Sequence, residues 1–157
     1  MTERIQNQYI PDIVSPPGET LEEVLETRGM SQAELADRTG RPKKTINEIV
    51  RGKAAITAET AIQFERVLGI PASFWMAREQ NYREALAREK EFELLESQAD
   101  WLKNIPYKAM AKLGWLAEHK EKSLQLDEVL RFFGVASPTT WEGMWSPAAP
   151  AFRQSPT

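Results

Sequence analysis

Glycines at 29, 40, 52 and 69 cut the first half of the chain into segments, none long enough for more than about four helical turns. Apolar residues recur at helical spacing just ahead of each one. Leu21, Val24 and Leu25 precede Gly29; Ala33, Leu35 and Ala36 precede Gly40; Ile46, Ile49 and Val50 precede Gly52; Ala61, Ile62, Phe64, Val67 and Leu68 precede Gly69. An apolar i, i+3, i+4 period that stops at a glycine is the mark of an amphipathic helix closed by a left-handed cap. A chain punctuated in this way is held to a cluster of short helices.

The starts of these segments agree with their ends. Gln32 onward follows Ser31, and Glu34 stands three residues after it, the spacing of a capping box. Pro42 suits the first turn of a third helix, and Arg51-Gly52 closes it. Thr57 is placed to cap the fourth, with Glu59 supplying a first-turn negative charge. From Pro71 through Leu102 no further proline or glycine interrupts a mixed-charge run, which predicts one long exposed helix. Shorter helical pieces are expected over Tyr107–Leu113 and Ser123–Phe133, with a turn of helix after Ser137-Pro138. The stretch before Pro17 carries three prolines with that residue included and reads as an extended arm, residues 1–15. The last dozen residues, SPAAPAFRQSPT, are too rich in Pro and small side chains to fold alone. No strand-like alternation or regular repeat occurs, so the fold class is all-α.

Composition narrows the chemistry. There is no Cys, so disulfides, thiolate metal sites and cysteine nucleophiles are excluded, and the lone His119 cannot form a histidine cluster. No catalytic dyad, phosphate loop or metal-ligand set is apparent, so neither an enzyme nor a cofactor is expected. The N-terminal residues lack the apolar core of a secretory signal, and nowhere do about 18 apolar residues run together, so a cytoplasmic chain without a membrane span is expected.

The charge of −3 (20 basic against 23 acidic side chains) argues at first against a nucleic-acid partner. It hides an asymmetry. Residues 1–30 carry −4 and residues 54–157 carry −2, while residues 31–53 hold six basic and three acidic side chains and so carry +3. Placing the third helix at about 100° per residue, with Lys43 at zero, puts Asn47, Arg51, Lys44 and Glu48 between about 40° and 140°, opposite Ile46, Ile49 and Val50. Such a stripe suits phosphate oxygens and base edges in a major groove that admits a helix. Asn47 can pair bidentately with adenine, Lys43 and Lys44 suit guanine or phosphate, and Glu48 can accept from cytosine or repel phosphate. Gln32, at the start of the second helix, is placed to hold a phosphate.

The run SQAELADRTGRPKKTINEIVRGK resembles the helix-turn-helix of lambda-repressor and Cro-like regulators of the XRE family. Over roughly Pro16 to Tyr82, the combination PPGE, SQAELA, TINEI, RGK, ITAETA and LGIPASFW is similar to antitoxins of the HigA type. The resemblance implies a five-helix DNA-binding domain over residues 16–80, followed by a long helix and a smaller helical region over 81–157 that serves dimerisation or partner binding. It implies a homodimer on palindromic double-stranded operator DNA, autorepression, and a basic toxin endonuclease that cuts mRNA as partner. It places the phosphate clamp at Gln32, base reading at Lys43, Lys44, Thr45 and Asn47, flanking contacts at Arg41, Glu48 and Arg51, and a backbone contact at Lys53. Arg41-Pro42 departs from the small aliphatic and Ser of many relatives. The stretches ALAREKEFELLESQADWLKNIPYKAMAKLGWL and VLRFFGVASPTTW are similar to the middle of longer regulators linked to ImmA/IrrE-type peptidases, although no HExxH is present.

Two other readings stay open at this point: the sensor part of such a peptidase-linked regulator, and a protein-only adaptor. Phe74, Trp75, Tyr82, Phe92, Trp101 and Trp115 are expected in core and dimer packing; Phe132, Phe133, Trp141 and Trp145 in a small C-terminal core or partner site; and His119 on the solvated surface. The acidic face formed by Glu19, Glu22, Glu23 and Glu26 reads as a solvated face or as a contact for a basic partner.

Overall fold

The computed structural model describes residues Ser15 to Trp145, and every regular element among them is a helix. The expected N-terminal arm, apart from Ser15, and the tail after Trp145 lie outside the described residues. The order is α1 (Pro17–Arg28), α2 (Gln32–Thr39), α3 (Lys43–Val50), α4 (Ala58–Leu68), α5 (Ala72–Ser97), a 3₁₀ helix (Ala99–Asn104), α6 (Tyr107–Lys112), α7 (Lys122–Phe133) and α8 (Pro138–Trp145). The chain divides into two compact units, Met1–Glu89 and Lys90–Thr157. The division falls inside α5, so the fifth helix of the first unit is also the start of the long helix.

The local signals act as the sequence predicts at the starts of α2 and α4, whereas Pro42 stands at the N-cap of α3, one residue before its first turn. Ser31 Oγ accepts from the Glu34 backbone N–H at 3.1 Å, and Thr57 Oγ1 accepts from the Thr60 N–H at 3.3 Å. The carboxylate of Glu34 turns to Arg38 Nε instead, at 3.0 Å, so the glutamate of the expected capping box serves an i, i+4 pair. Gly29, Gly40 and Gly69 close α1, α2 and α4 in the left-handed conformation. The apolar faces meet in one core of Leu21, Leu25, Leu35, Ile46, Ile49, Ile56, Ala61, Phe64, Leu68 and Trp75, with the Phe64 and Trp75 rings edge-on at 5.4 Å. Each large side chain taken fully from water contributes about 1.5–3 kcal/mol, which is what brings short helices of modest intrinsic stability together.

The second unit has its own core: Leu95, Leu102, Tyr107, Met110, Leu116, Leu126, Val129 and Leu130. The predicted helix to Leu102 is too long. It ends at Ser97, whose hydroxyl donates to Leu94 O at 2.6 Å, and a 3₁₀ segment follows. The change from 3.6 to three residues per turn alters which side chains share a face, and Leu102 is buried beyond the break. The helix after Pro138 runs eight residues, longer than the expected single turn. His119 is not solvated as expected: its side chain is 17% exposed and its Nε2 lies 3.3 Å from Glu128. The loop that carries it is stapled by Tyr107, whose Oη donates to Ala117 O at 2.7 Å and accepts from the His119 N–H at 2.9 Å, while Gln125 Nε2 donates to His119 O. Trp115 and Phe74 are also more exposed than core packing requires, at 56% and 40%.

Candidate nucleic-acid interface

The polar face of α3 is set by what its apolar face does. Ile46, Ile49 and Val50 are buried against the core, so the opposite arc is turned outward. Two close approaches hold the far end of the helix. A Cβ on Gly18 in α1 would run into the carbonyls of Ile49 and Val50, so only a glycine lets the start of α1 lie on the end of α3. Gly52 follows at φ +74°, in the left-handed region where L side chains are strained, and a Cβ there would sit 2.9 Å from Pro16 and 3.4 Å from the Tyr82 hydroxyl. Pro16 is itself fixed by Arg78, whose guanidinium donates to the carbonyls of Ser15 and Pro16 and to Thr20 Oγ1. The separate fragments PPGE and RGK thus meet in one place beside Tyr82, where they fix the exit of α3.

On the outward arc Lys43, Lys44, Arg51 and Lys53 are exposed, and Thr45, Asn47 and Glu48 are half-buried. Lys44 Nζ lies 3.9 Å from Glu48 Oε1 with its side chain 87% exposed, a contact worth little in water that leaves the ammonium available. Asn47 Nδ2 donates to Gln32 Oε1 at 3.2 Å, joining α3 to the first residue of α2. This pairing holds two amides side by side while each keeps further donor and acceptor capacity. That bond brings Asn47 and Gln32 together, with Lys43, Lys44 and Thr45 in the first turn of the same helix and Arg51 and Lys53 beyond its end.

Arg41 is placed differently. Its Nε donates to Gln63 Oε1 in α4 at 2.7 Å and its Nη2 lies 3.4 Å from Glu59 Oε2, with the side chain 24% exposed. Sequence reasoning missed Gln63 and Glu59 as its partners, 22 and 18 positions on, and Arg78 as the anchor of Ser15 and Pro16. No local pattern marks such pairs. The glycine in PPGE was visible as a motif but without its cause. Among the described residues no group of three His, Cys, Asp or Glu side chains is placed to hold a metal ion, and no helix is long and apolar enough to cross a membrane.

Comparison with known proteins places this unit in context. Residues 21–75 match the helix-turn-helix family HTH_3. The solved structure of the Pseudomonas aeruginosa antitoxin HigA with the higBA promoter is 33% identical, covering 54% of this chain and 92% of that one, with a TM-score of 0.50. A Pseudomonas aeruginosa protein in complex with its 28-bp operator DNA is likewise 33% identical over 54% of this chain and 93% of that one, with a TM-score of 0.50. Among curated proteins, virulence-associated protein I of Dichelobacter nodosus is 40% identical over 67 residues, which is 42% of this chain. Its virulence-associated protein A is 35% identical over 65 residues, or 41% of this chain. The matched stretch spans 62% of the length of each of these two curated relatives.

Proposed function

The chain belongs to the helix-turn-helix family that includes HigA antitoxins, and from that premise we propose that it is a sequence-specific, operator-binding transcriptional repressor acting as the antitoxin of a toxin-antitoxin module. The observation that carries this reading is the coupled pair Asn47 and Gln32 on an outward arc flanked by exposed Lys43, Lys44, Arg51 and Lys53. Such an arc carries both kinds of contact a specific complex needs. Asn47 and Thr45 read base edges in the major groove, Asn47 pairing with adenine N6 and N7. Gln32 holds a phosphate at the start of α2, where free backbone N–H groups favour an anion. Lys43, Lys44, Arg51 and Lys53 neutralise phosphates, and Glu48 sets register by repelling phosphate from the wrong approach.

In this account two copies bind a palindromic site with half-sites about 34–36 Å apart, one turn of the duplex. The two Pseudomonas aeruginosa relatives, solved with promoter and operator DNA, support double-stranded DNA as the target. The acidic exposed face of α1 (Glu19, Glu22, Glu23, Glu26) offers charge complementarity to a basic toxin nuclease. The protein works in the cytoplasm and needs no cofactor or catalytic group.

A gel shift on the DNA upstream of its own gene, against a random duplex of equal length, tests the reading. The expected result is a retarded complex on the upstream DNA at concentrations at least tenfold below those that shift the random duplex. Equal retardation of both would remove operator recognition from the account.

A further inference from the structure

We infer that Arg41 is a positioning residue, a clamp that joins the entry of the recognition helix to α4, and that it makes no phosphate contact of its own. The inference rests on the DNA-binding reading for its consequence and on the geometry of the turn for its cause. Arg41 stands between Gly40, which caps α2, and Pro42, which caps α3. Its backbone N–H donates to Ala36 O at 3.0 Å, so its main chain is committed to the end of α2. Its side chain is committed to α4, through the 2.7 Å bond from Nε to Gln63 and the ion pair of Nη2 with Glu59. Pro42 has no N–H and a fixed φ, so the direction in which α3 departs is set by where residues 41 and 42 are held. Arg41 thus ties three helices together at that corner.

The same contacts argue against a phosphate on this guanidinium. The short Nε–Gln63 bond would have to break or share its donor. Glu59 sits beside the guanidinium with its own side chain 79% exposed, so a phosphate approaching Nη2 meets a carboxylate. Lys43, two residues on, is exposed, and Lys44, although 3.9 Å from Glu48, keeps its side chain 87% exposed against 24% for Arg41. The fork matters here as well as the charge: the planar guanidinium reaches two acceptors on α4 at once, which a lysine ammonium does not reproduce.

The test uses the full chain and a duplex enriched by the wild-type chain from a randomised pool. Binding is titrated at several salt concentrations for wild type, Arg41→Lys, Arg41→Leu, Gln63→Leu, the Arg41→Leu/Gln63→Leu double variant and Lys43→Ala. We expect Arg41→Lys and Arg41→Leu to weaken binding alike, by about 3–10-fold, with the slope of log K against log salt unchanged. Lys43→Ala lowers that slope by about 0.9, as loss of one phosphate contact does. Gln63→Leu weakens binding by a similar factor, and the double variant is no weaker than either single one. The clamp is overturned if Arg41→Lys binds like wild type while Arg41→Leu loses about 0.9 in slope, or if Gln63→Leu leaves binding unchanged.

A wild-type chain that enriches no duplex above the unselected pool defeats the DNA-binding reading instead. The clamp is then decided by thermal melting. Arg41→Leu and Gln63→Leu should each lower the melting temperature by about 2–5 °C, and the double variant no further; additive shifts or no shift overturn it.

Discussion

The two units of the chain use the same raw material, short helices with aromatic side chains, and reach different surfaces. In the first, Phe64 and Trp75 are fully buried and the outward face of α3 is polar. In the second, a run of ring contacts links Trp101, Trp141, Phe133, Phe132 and Trp115 at centroid distances of 5.2–6.1 Å, yet Trp115, Phe132 and Trp145 stay about half exposed. The cause is the order of elements. In the first unit α1 to α4 close around one another, each with an apolar stripe and most with a cap. In the second, α6 and the 3₁₀ segment have only six residues each, and the aromatic layer is left partly uncovered. A complete core leaves the first unit free to specialise one face of α3, whereas the second retains an apolar surface.

The sharpest way to break this comparison is to open each core in turn. Phe64→Ala should cost the first unit about 3–5 kcal/mol and Leu126→Ala the second about 2–5 kcal/mol, measured by denaturant unfolding. Hydrogen exchange then asks whether the cores are independent: Leu126→Ala should leave the amides of Leu35 and Ile46 protected. Loss of their protection would mean that the units share one cooperative core.

A pair of glycines gives the next largest effect. Gly18→Ala places a methyl against the Ile49 and Val50 carbonyls and should destabilise by about 1–3 kcal/mol, because the obstacle is backbone. Gly143→Ala in α8 meets nothing within 4 Å and should be neutral or stabilise by about 0.5–1 kcal/mol through helix propensity. Equal melting temperatures for both variants would contradict the close α1–α3 approach. Tyr107→Phe should cost the second unit about 1–3 kcal/mol, since it removes the acceptor of the His119 N–H and the donor to Ala117 O. An unchanged unfolding midpoint would show that water replaces the hydroxyl without cost.

What could be read in the sequence follows the same division. Both ends of α2 and α4 and the stop of α1 were legible because each rests on a local device: Ser31 and Thr57 at the starts, Gly29, Gly40 and Gly69 at the stops. The polar arc of α3 was legible because its stripe obeys one period. The Asn47–Gln32 bond and the Arg41–Gln63 clamp were not, since both depend on how helices far apart in sequence come together. In the second unit the sequence over-extended α5 to Leu102. Its Gly- and Pro-free composition favours helix throughout, yet the helix ends at Ser97, with Leu95 and Leu102 buried on either side of the break. The partial burial of His119 was hidden for a like reason, because Tyr107, Gln125 and Glu128 reach its loop from other elements.

The central claim is that the first unit reads DNA through the outward arc of α3, and one titration tests it most directly. Wild type and Asn47→Ala are each measured by fluorescence anisotropy on the selected operator duplex and on a random duplex at the same salt. The account predicts that Asn47→Ala loses about 1–3 kcal/mol on the operator with little change on random DNA, so that the preference between the two collapses. An equal loss on both duplexes, or none on either, would contradict it.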